Sequence, residues 1–156
     1  MINNFEQYLT YGNIYLIANW AVIPFWILLV AMPQHTITRF FAHSIIAPLL
    51  LGTAYVFITY EIFLEDVYFE PFNLYLGLDE LYSVFSNELF LLVFWLHFLS
   101  LSLFVGSWIA RDSLKYFIPR FLTFFCLITT YFAGPIGIIF YWFIRVFYSK
   151  KINFND

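Results

Sequence analysis

The chain has 156 residues, of which 63% are hydrophobic, 25% are aromatic and only 11% are charged. Soluble domains carry roughly a quarter charged residues, so this composition excludes an ordinary soluble protein and predicts one all-α transmembrane domain over residues 1–156. The net charge of −3 provides no basic surface for DNA or RNA, and we expect no nucleic-acid partner.

The first two apolar windows are each long enough to cross a bilayer, which takes about 20 helical residues. The first covers residues 14–32 and contains Asn19 and Trp20. The second covers residues 41–64 and carries Glu61 near its end. Backbone polar groups in lipid must be satisfied within their own segment, so both windows are predicted to be transmembrane helices.

An acidic segment follows at residues 65–88, with six acidic residues and no Lys or Arg. Within it, apolar side chains recur at helical spacing, with polar residues between them. These apolar residues are Leu78, Leu81, Tyr82 and Phe85. The pattern predicts a short interfacial helix between the second and third spans.

The third window, residues 89–110, combines the length of a membrane span with a histidine, His97. Trp95 and Phe104 lie in the same window. A separate face carries small residues at four-residue spacing: Ser102, Gly106 and Ala110. Small residues at this spacing are typical of close helix packing in membranes, and we predict a packing seam along that face.

The fourth window, residues 121–147, is interrupted by Gly134 and Pro135. Four spans would place both termini on the same side of the membrane as the acidic segment. That side would carry three basic residues and the other side four, so the positive-inside rule barely decides the orientation. We expect both termini to lie outside the cytoplasm.

Polar groups from several windows fall at similar depths in this arrangement. At about 1.5 Å per residue, His97 lies about 12 Å, Asn19 about 8 Å and the Gly134–Pro135 break about 10 Å from the acidic side, where Glu61 ends the second span. Intramembrane polar residues often mark functional sites, so this layer predicts a pocket with one polar end. Alternatively, Asn19 and His97 could only hydrogen-bond between helices, Glu61 could only sit at the interface, and Gly134–Pro135 could be a plain kink that lets helices pack.

The three histidines do not predict a metal site. His35 falls in a loop, and His43 lies about 14 Å from His97 in depth, so no single ion could bind both. No other ligand-spaced cluster is present in the sequence. We expect no metal and no redox cofactor.

Two stretches of the chain resemble a known family. They are residues 81–112, LYSVFSNELFLLVFWLHFLSLSLFVGSWIARD, and residues 121–145, FLTFFCLITTYFAGPIGIIFYWFIR. The LFVG-x-W-I element and the late GP-x-G element before a Tyr and an Arg resemble the abscisic acid-deficient four-like membrane family. The Asn-x4-Pro-x-Trp element formed by Asn19, Pro24 and Trp26 is also similar.

This resemblance implies a four-helix membrane protein of xanthophyll metabolism. Plant members are needed for neoxanthin formation, in which an epoxide opens to give an allene. Such an isomerisation needs proton transfer and no redox cofactor, and His97, which matches the family's histidine, would handle the proton. The ligand would be a carotenoid or another isoprenoid, held near Asn19, Trp20, Glu61, Trp95, Phe104, Gly134 and Pro135. Gly106, Trp108 and Asp112 match family positions as well.

The chain departs from the family pattern at two positions. The family typically has an Asp where this chain has Ser102 and an Arg where it has Ser107, so two charges are absent together. This leaves open a non-enzymatic accessory subunit, whose packing seam would face a membrane partner or a second copy of the chain. A transporter or channel is a weaker hypothesis, because few intramembrane charges are available to line a polar path.

Overall fold

The computed structural model describes residues 10–42, 46–64 and 73–150, and within them the chain is helical with no strand. The helices in chain order are α1 (Tyr11–Ala31), α2 (Thr36–Phe41), α3 (Ile46–Leu64), α4 (Asn73–Leu76), α5 (Leu78–Phe85), α6 (Glu88–Lys115), α7 (Arg120–Ala133) and α8 (Pro135–Ser149). The predicted all-α class is confirmed.

Within the part of the chain that the structure describes, three segments are long and apolar enough to cross a membrane: Tyr11–Ala31, Thr36–Tyr60 and Glu88–Lys115. They correspond to the first three predicted windows. The short helix α5 occupies the position predicted for an interfacial helix, with both Leu78 and Tyr82 exposed.

Side-chain caps explain where helices α1 and α6 begin. The Thr10 hydroxyl accepts a hydrogen bond from the Asn13 N–H at 3.3 Å, and the Asn87 side chain accepts one from the Phe90 N–H at 3.2 Å. Each bond satisfies an amide that has no partner inside its helix. The two polar caps therefore fix the start of α1 and the start of α6.

The central helix is α6, which contacts α1, α3, α7 and α8. Helix α1 comes close to it at Gly106, where a Cβ atom would lie 2.6 Å from Cη2 of Trp26. The absent side chain therefore makes room for the indole. Large apolar side chains such as Trp20, Phe121 and Phe147 are exposed on the outside of the bundle. Apolar exposure of this extent is typical of a membrane-contacting surface.

Contacts along α6 establish the directions of its neighbours. Helix α1 runs parallel to α6, because Asn19 bonds to Trp95 and the later Trp26 packs on Gly106. Helix α3 runs antiparallel, because the Ser100 hydroxyl donates to the Pro48 carbonyl at 3.1 Å, whereas the earlier His97 ring lies beside Tyr55.

The fourth predicted window is two shorter helices that form an antiparallel hairpin. Gly134 separates α7 from α8, and its φ of +49° is a conformation that favours glycine. Gly137 lies against α7, where a Cβ atom would be 2.6 Å from the Thr130 Cα. Further along α8, the Tyr141 hydroxyl donates to Asp112 at 2.7 Å, near the end of α6. Helix α8 therefore returns toward the end of the bundle at which α7 began, and the expected single helix over residues 121–147 is wrong.

The hairpin changes the predicted distribution of charge. We call the end of the bundle with Tyr11 and Glu88 the acidic end, and the end with Ala31 and Lys115 the basic end. Among the described residues, every Lys and Arg lies in the half toward the basic end: Arg39, Arg111, Lys115, Arg120, Arg145 and Lys150. The first and last described residues are thus at opposite ends, contrary to the expectation from four spans.

The hairpin depends on the absence of a side chain at Gly137. Gly137→Ala is expected to lower the free energy of unfolding by about 1–3 kcal/mol, because the added methyl group would overlap the Thr130 backbone. Thermal unfolding in detergent, followed by circular dichroism, measures the change. Gly52→Ala is the matched control, since no heavy atom lies within 4 Å of its added Cβ. Equal melting of the two variants would contradict this packing.

Candidate functional site

A buried ionic cluster joins the hairpin to the central helix. One carboxylate oxygen of Asp112 accepts from the Arg145 Nε–H and from the Tyr141 hydroxyl, both at 2.7 Å. Arg145 also donates to the Tyr116 hydroxyl at 3.2 Å and lies over the Tyr116 ring, 4.8 Å from its centre. The side chains of Arg145 and Asp112 are only 1% and 11% exposed. The cluster is therefore nearly closed to its surroundings.

The sequence spacing explains how the cluster assembles. Tyr141 and Arg145 are four residues apart on α8 and thus share one face. The hairpin turns that face toward Asp112, which lies in the last turn of α6. Arg111, the sequence neighbour of Asp112, is exposed, and Asp112 forms its ion pair with Arg145. The Tyr-x3-Arg spacing was the signal that could have revealed the pair.

A second feature is the His97 cavity, a space of about 220 Å³ between α6 and the tip of the hairpin. Its lining residues are Phe94, His97, Phe98, Leu101, Ser102, Val105, Gly134, Pro135 and Ile138. His97 is the one ionisable side chain among them, and it is exposed on the outside of the bundle. Its ring centre is 5.8 Å from that of Tyr55. The structure thus brings His97 together with the Gly134–Pro135 break.

Asn19 does not line the His97 cavity. Its side-chain oxygen accepts from the Trp95 indole N–H at 3.2 Å, and its amide nitrogen donates to the Tyr15 carbonyl at 2.7 Å. Asn19 therefore ties α1 to α6. Trp95 stacks on Phe98, with ring centres 5.5 Å apart, and so stands between Asn19 and the His97 cavity. The predicted polar layer is consequently divided into two places.

The remaining predicted ligand contacts point elsewhere. Trp20 is 71% exposed and Phe104 is 51% exposed, and neither lines the His97 cavity. Glu61 belongs to the last turn of α3, and its side chain lies outside the described residues. Within residues 10–42, 46–64 and 73–150, no three side chains of His, Cys, Asp or Glu are grouped so that they could hold a metal ion.

The predicted packing seam is buried within the chain itself. Ser102, Gly106 and Ala110 are all buried, and Gly106 faces Trp26 of α1. Ser102 also lines the His97 cavity, so one of the two positions that depart from the family pattern is part of its wall. The other, Ser107, is buried as well.

Comparison with known proteins identifies the family. The sequence model of the ABA DEFICIENT 4-like family matches residues 13–141, which include the His97 cavity, Asp112 and Tyr141. The chain belongs to the ABA DEFICIENT 4-like family. A relative from Arabidopsis thaliana, named Protein ABA DEFICIENT 4, chloroplastic, is 28% identical over 107 residues.

The similarity to the Arabidopsis protein covers only part of each of the two proteins. It covers 67% of this chain and 49% of the relative, so the chain spans about half the length of the curated protein it matches. No solved structure matches the chain. Within this ABA DEFICIENT 4-like chain, Arg145 lies four residues beyond the segment that the family model matches. The buried pair therefore links the matched segment to the part of α8 that follows it.

Proposed function

We propose that the protein is a multi-pass integral membrane protein that binds the ring end of a xanthophyll or related polyene in the His97 cavity and isomerises it. The observation that carries this proposal is a single imidazole at the wall of a cavity that, apart from Ser102, is lined by apolar residues; this imidazole is exposed on the outer surface of the bundle. Membership of the ABA DEFICIENT 4-like family supports a carotenoid as the ligand, because plant members of that family are needed for neoxanthin formation.

The cavity suits one end of a polyene. At about 220 Å³ it is smaller than the roughly 300–1,000 Å³ pockets that enclose whole drug-sized ligands. A ring would enter it, and the rest of the chain would lie along the bundle surface. Phe94, Leu101 and Phe104 are 44%, 50% and 51% exposed next to His97 and provide apolar surface for that chain. The ligand would therefore enter sideways from the lipid.

The proposed chemistry is an acid–base isomerisation at His97. The protonated imidazole would give its proton to the epoxide oxygen as the carbon–oxygen bond breaks. The neutral imidazole would then accept the proton that leaves the neighbouring carbon of the polyene chain. Atoms and electrons balance, because one proton is given and one is returned, and the product is an isomer.

The Asp112–Arg145 pair would act as a positioning element for this site. It fixes α8 against α6 toward the basic end, while the hairpin tip places Gly134 and Pro135 at the cavity. A Cβ atom on Gly134 would lie 3.3 Å from Phe98, so the tip is closely packed on the cavity wall. Any shift of α8 would consequently change the shape of the cavity.

Replacing His97 tests the proposal. His97→Gln is expected to lower conversion of an epoxy-xanthophyll about 100-fold or more, because proton transfer by a positioned side chain contributes at least about that factor. Pigment extracts from carotenoid-producing cells, separated by chromatography, measure the conversion. His35→Gln changes the other described histidine, far from the cavity, and should leave conversion unchanged.

Two outcomes would contradict the proposal. Full conversion of the epoxy-xanthophyll by the His97→Gln variant would show that His97 takes no part in the reaction. If the purified wild-type protein is colourless and the pigments of the producing cells are unchanged, the protein neither binds nor modifies a polyene. An accessory subunit would need another surface for its partner, because the packing seam is buried within the chain and Gly106 packs on Trp26.

A further inference from the structure

A cavity of about 500 Å³ at the basic end is lined by Pro33, Gln34, Arg39, Arg111 and Leu114. We propose that this cavity, the Arg39–Arg111 cavity, binds the phosphate of an anionic phospholipid. It is separate from the His97 cavity and shares no lining residue with it.

The fold brings the two arginines to one place. The Thr38 hydroxyl donates to the Met32 carbonyl at 2.6 Å and so fixes α2 against the end of α1. Arg39 is the next residue after that buried anchor. Because α1 and α6 run parallel, the end of α1 lies beside the last turns of α6, where Arg111 projects. The two guanidinium groups therefore line the same cavity from different helices.

Neither arginine forms an ion pair with a carboxylate in the part of the chain that the structure describes. Asp112, the sequence neighbour of Arg111, is already bonded to Arg145 and Tyr141. The other described carboxylates, those of Asp79, Glu80 and Glu88, lie toward the acidic end. Two guanidinium groups without a carboxylate partner form a strong site for a phosphate, which they bind through paired hydrogen bonds.

The surroundings favour a lipid over a free phosphate ion. Ile37 and Phe40, which flank Arg39 on α2, are 47% and 60% exposed, so apolar surface adjoins the charged cavity. A phospholipid would place its phosphate on the arginines and its acyl chains on that surface. The concentration of basic residues also predicts that the basic end lies on the cytoplasmic side, where such residues meet anionic lipid.

Lipid binding by the purified full-length protein tests the inference. Native mass spectrometry would compare phosphatidylglycerol with phosphatidylcholine of the same acyl chains, for the wild type and for the R39Q/R111Q variant. The variant is expected to lose at least about tenfold in affinity for phosphatidylglycerol, since a hydrogen bond to a charged group is worth about that factor. Its weak binding of phosphatidylcholine should change much less, because the choline cation already offsets the charge of that phosphate.

Arg120→Gln is the matched control, because Arg120 is exposed toward the same end but does not line the cavity. It should retain phosphatidylglycerol affinity within about twofold. Loss of binding in this control equal to that in R39Q/R111Q would overturn the inference in favour of diffuse charge attraction. Displacement of the lipid by inorganic phosphate at equal concentration would overturn it in favour of a free-anion site.

Equal phosphatidylglycerol binding by wild type and R39Q/R111Q would also overturn the inference. Helical circular dichroism verifies that the variant is folded. If it is not, R39K/R111K serves instead, since it keeps both charges but loses the paired geometry and is expected to bind the lipid several-fold more weakly. Pigment conversion is a separate readout, so failure of the proposed isomerase function leaves this result unaffected.

Discussion

Asp112→Ala is expected to lower the free energy of unfolding by about 3–5 kcal/mol, because it would leave the buried guanidinium of Arg145 without its carboxylate. The same change removes the acceptor of the Tyr141 hydroxyl. A buried charge that loses its ion-pair carboxylate costs much more than the loss of one surface ion pair. Unfolding in detergent by increasing denaturant measures the difference.

A double variant separates the charge from the packing. Asp112→Leu combined with Arg145→Met replaces both ions by apolar side chains, and a matched apolar replacement of a buried ion pair is often neutral. We expect the double variant to recover most of the stability lost in Asp112→Ala. If it is as unstable as the single variant, the cluster contributes through shape and not through charge.

Labelling of single cysteines from one side of a sealed vesicle is expected to show that residues 12 and 150 lie on opposite sides of the membrane. Gly12→Cys and Lys150→Cys should react with a membrane-impermeant maleimide from opposite sides, because three spans plus a hairpin place them at opposite ends. Asp79→Cys should follow Gly12→Cys, since α5 leads into the start of α6. The native Cys126 is only 1% exposed, so the wild type is the blank.

The two topologies give opposite results in this experiment. Four spans would bring residues 12 and 150 to the same side of the membrane. Labelling of both from that side would therefore contradict the hairpin. Permeabilising the vesicles supplies the internal control, because every exposed cysteine should then react. The outcome is nearly all-or-none and does not depend on stability.

The first three long apolar helices could be predicted from the sequence, because each is one long apolar stretch. The prediction of one helix in the fourth window was wrong for a physical reason. Two antiparallel helices of 14 and 15 residues have the same average hydropathy as one helix of their combined length. Gly134 was identified as a break, but a break does not reveal whether the chain continues or reverses. Only the contact of Gly137 with Thr130 settles the direction.

Residue counting estimates how deep a side chain lies along its helix but not the direction in which it points. Counting residues placed His97 level with Gly134, and the two do share a cavity. Small errors in a helix's rotation decide whether a side chain faces the bundle or the outside, and depth carries no such information. Asp112 does not pair with its sequence neighbour Arg111, because adjacent residues on a helix point about 100° apart. The true partner, Arg145, required the hairpin to be known.

If the protein is the integral membrane protein proposed above, the hairpin also has a consequence for how the chain is inserted. Helix α7 begins at Arg120 and α8 ends beside Lys150, and both lie toward the same end of the bundle. After the third span is in place, no basic residue in the described remainder of the chain has to pass through the hydrocarbon layer. Moving each such charge through lipid would cost at least about 2.5 kcal/mol. The final 30 or so described residues can therefore insert as a wedge from one leaflet, and the bundle acquires its last two helices without any further translocation.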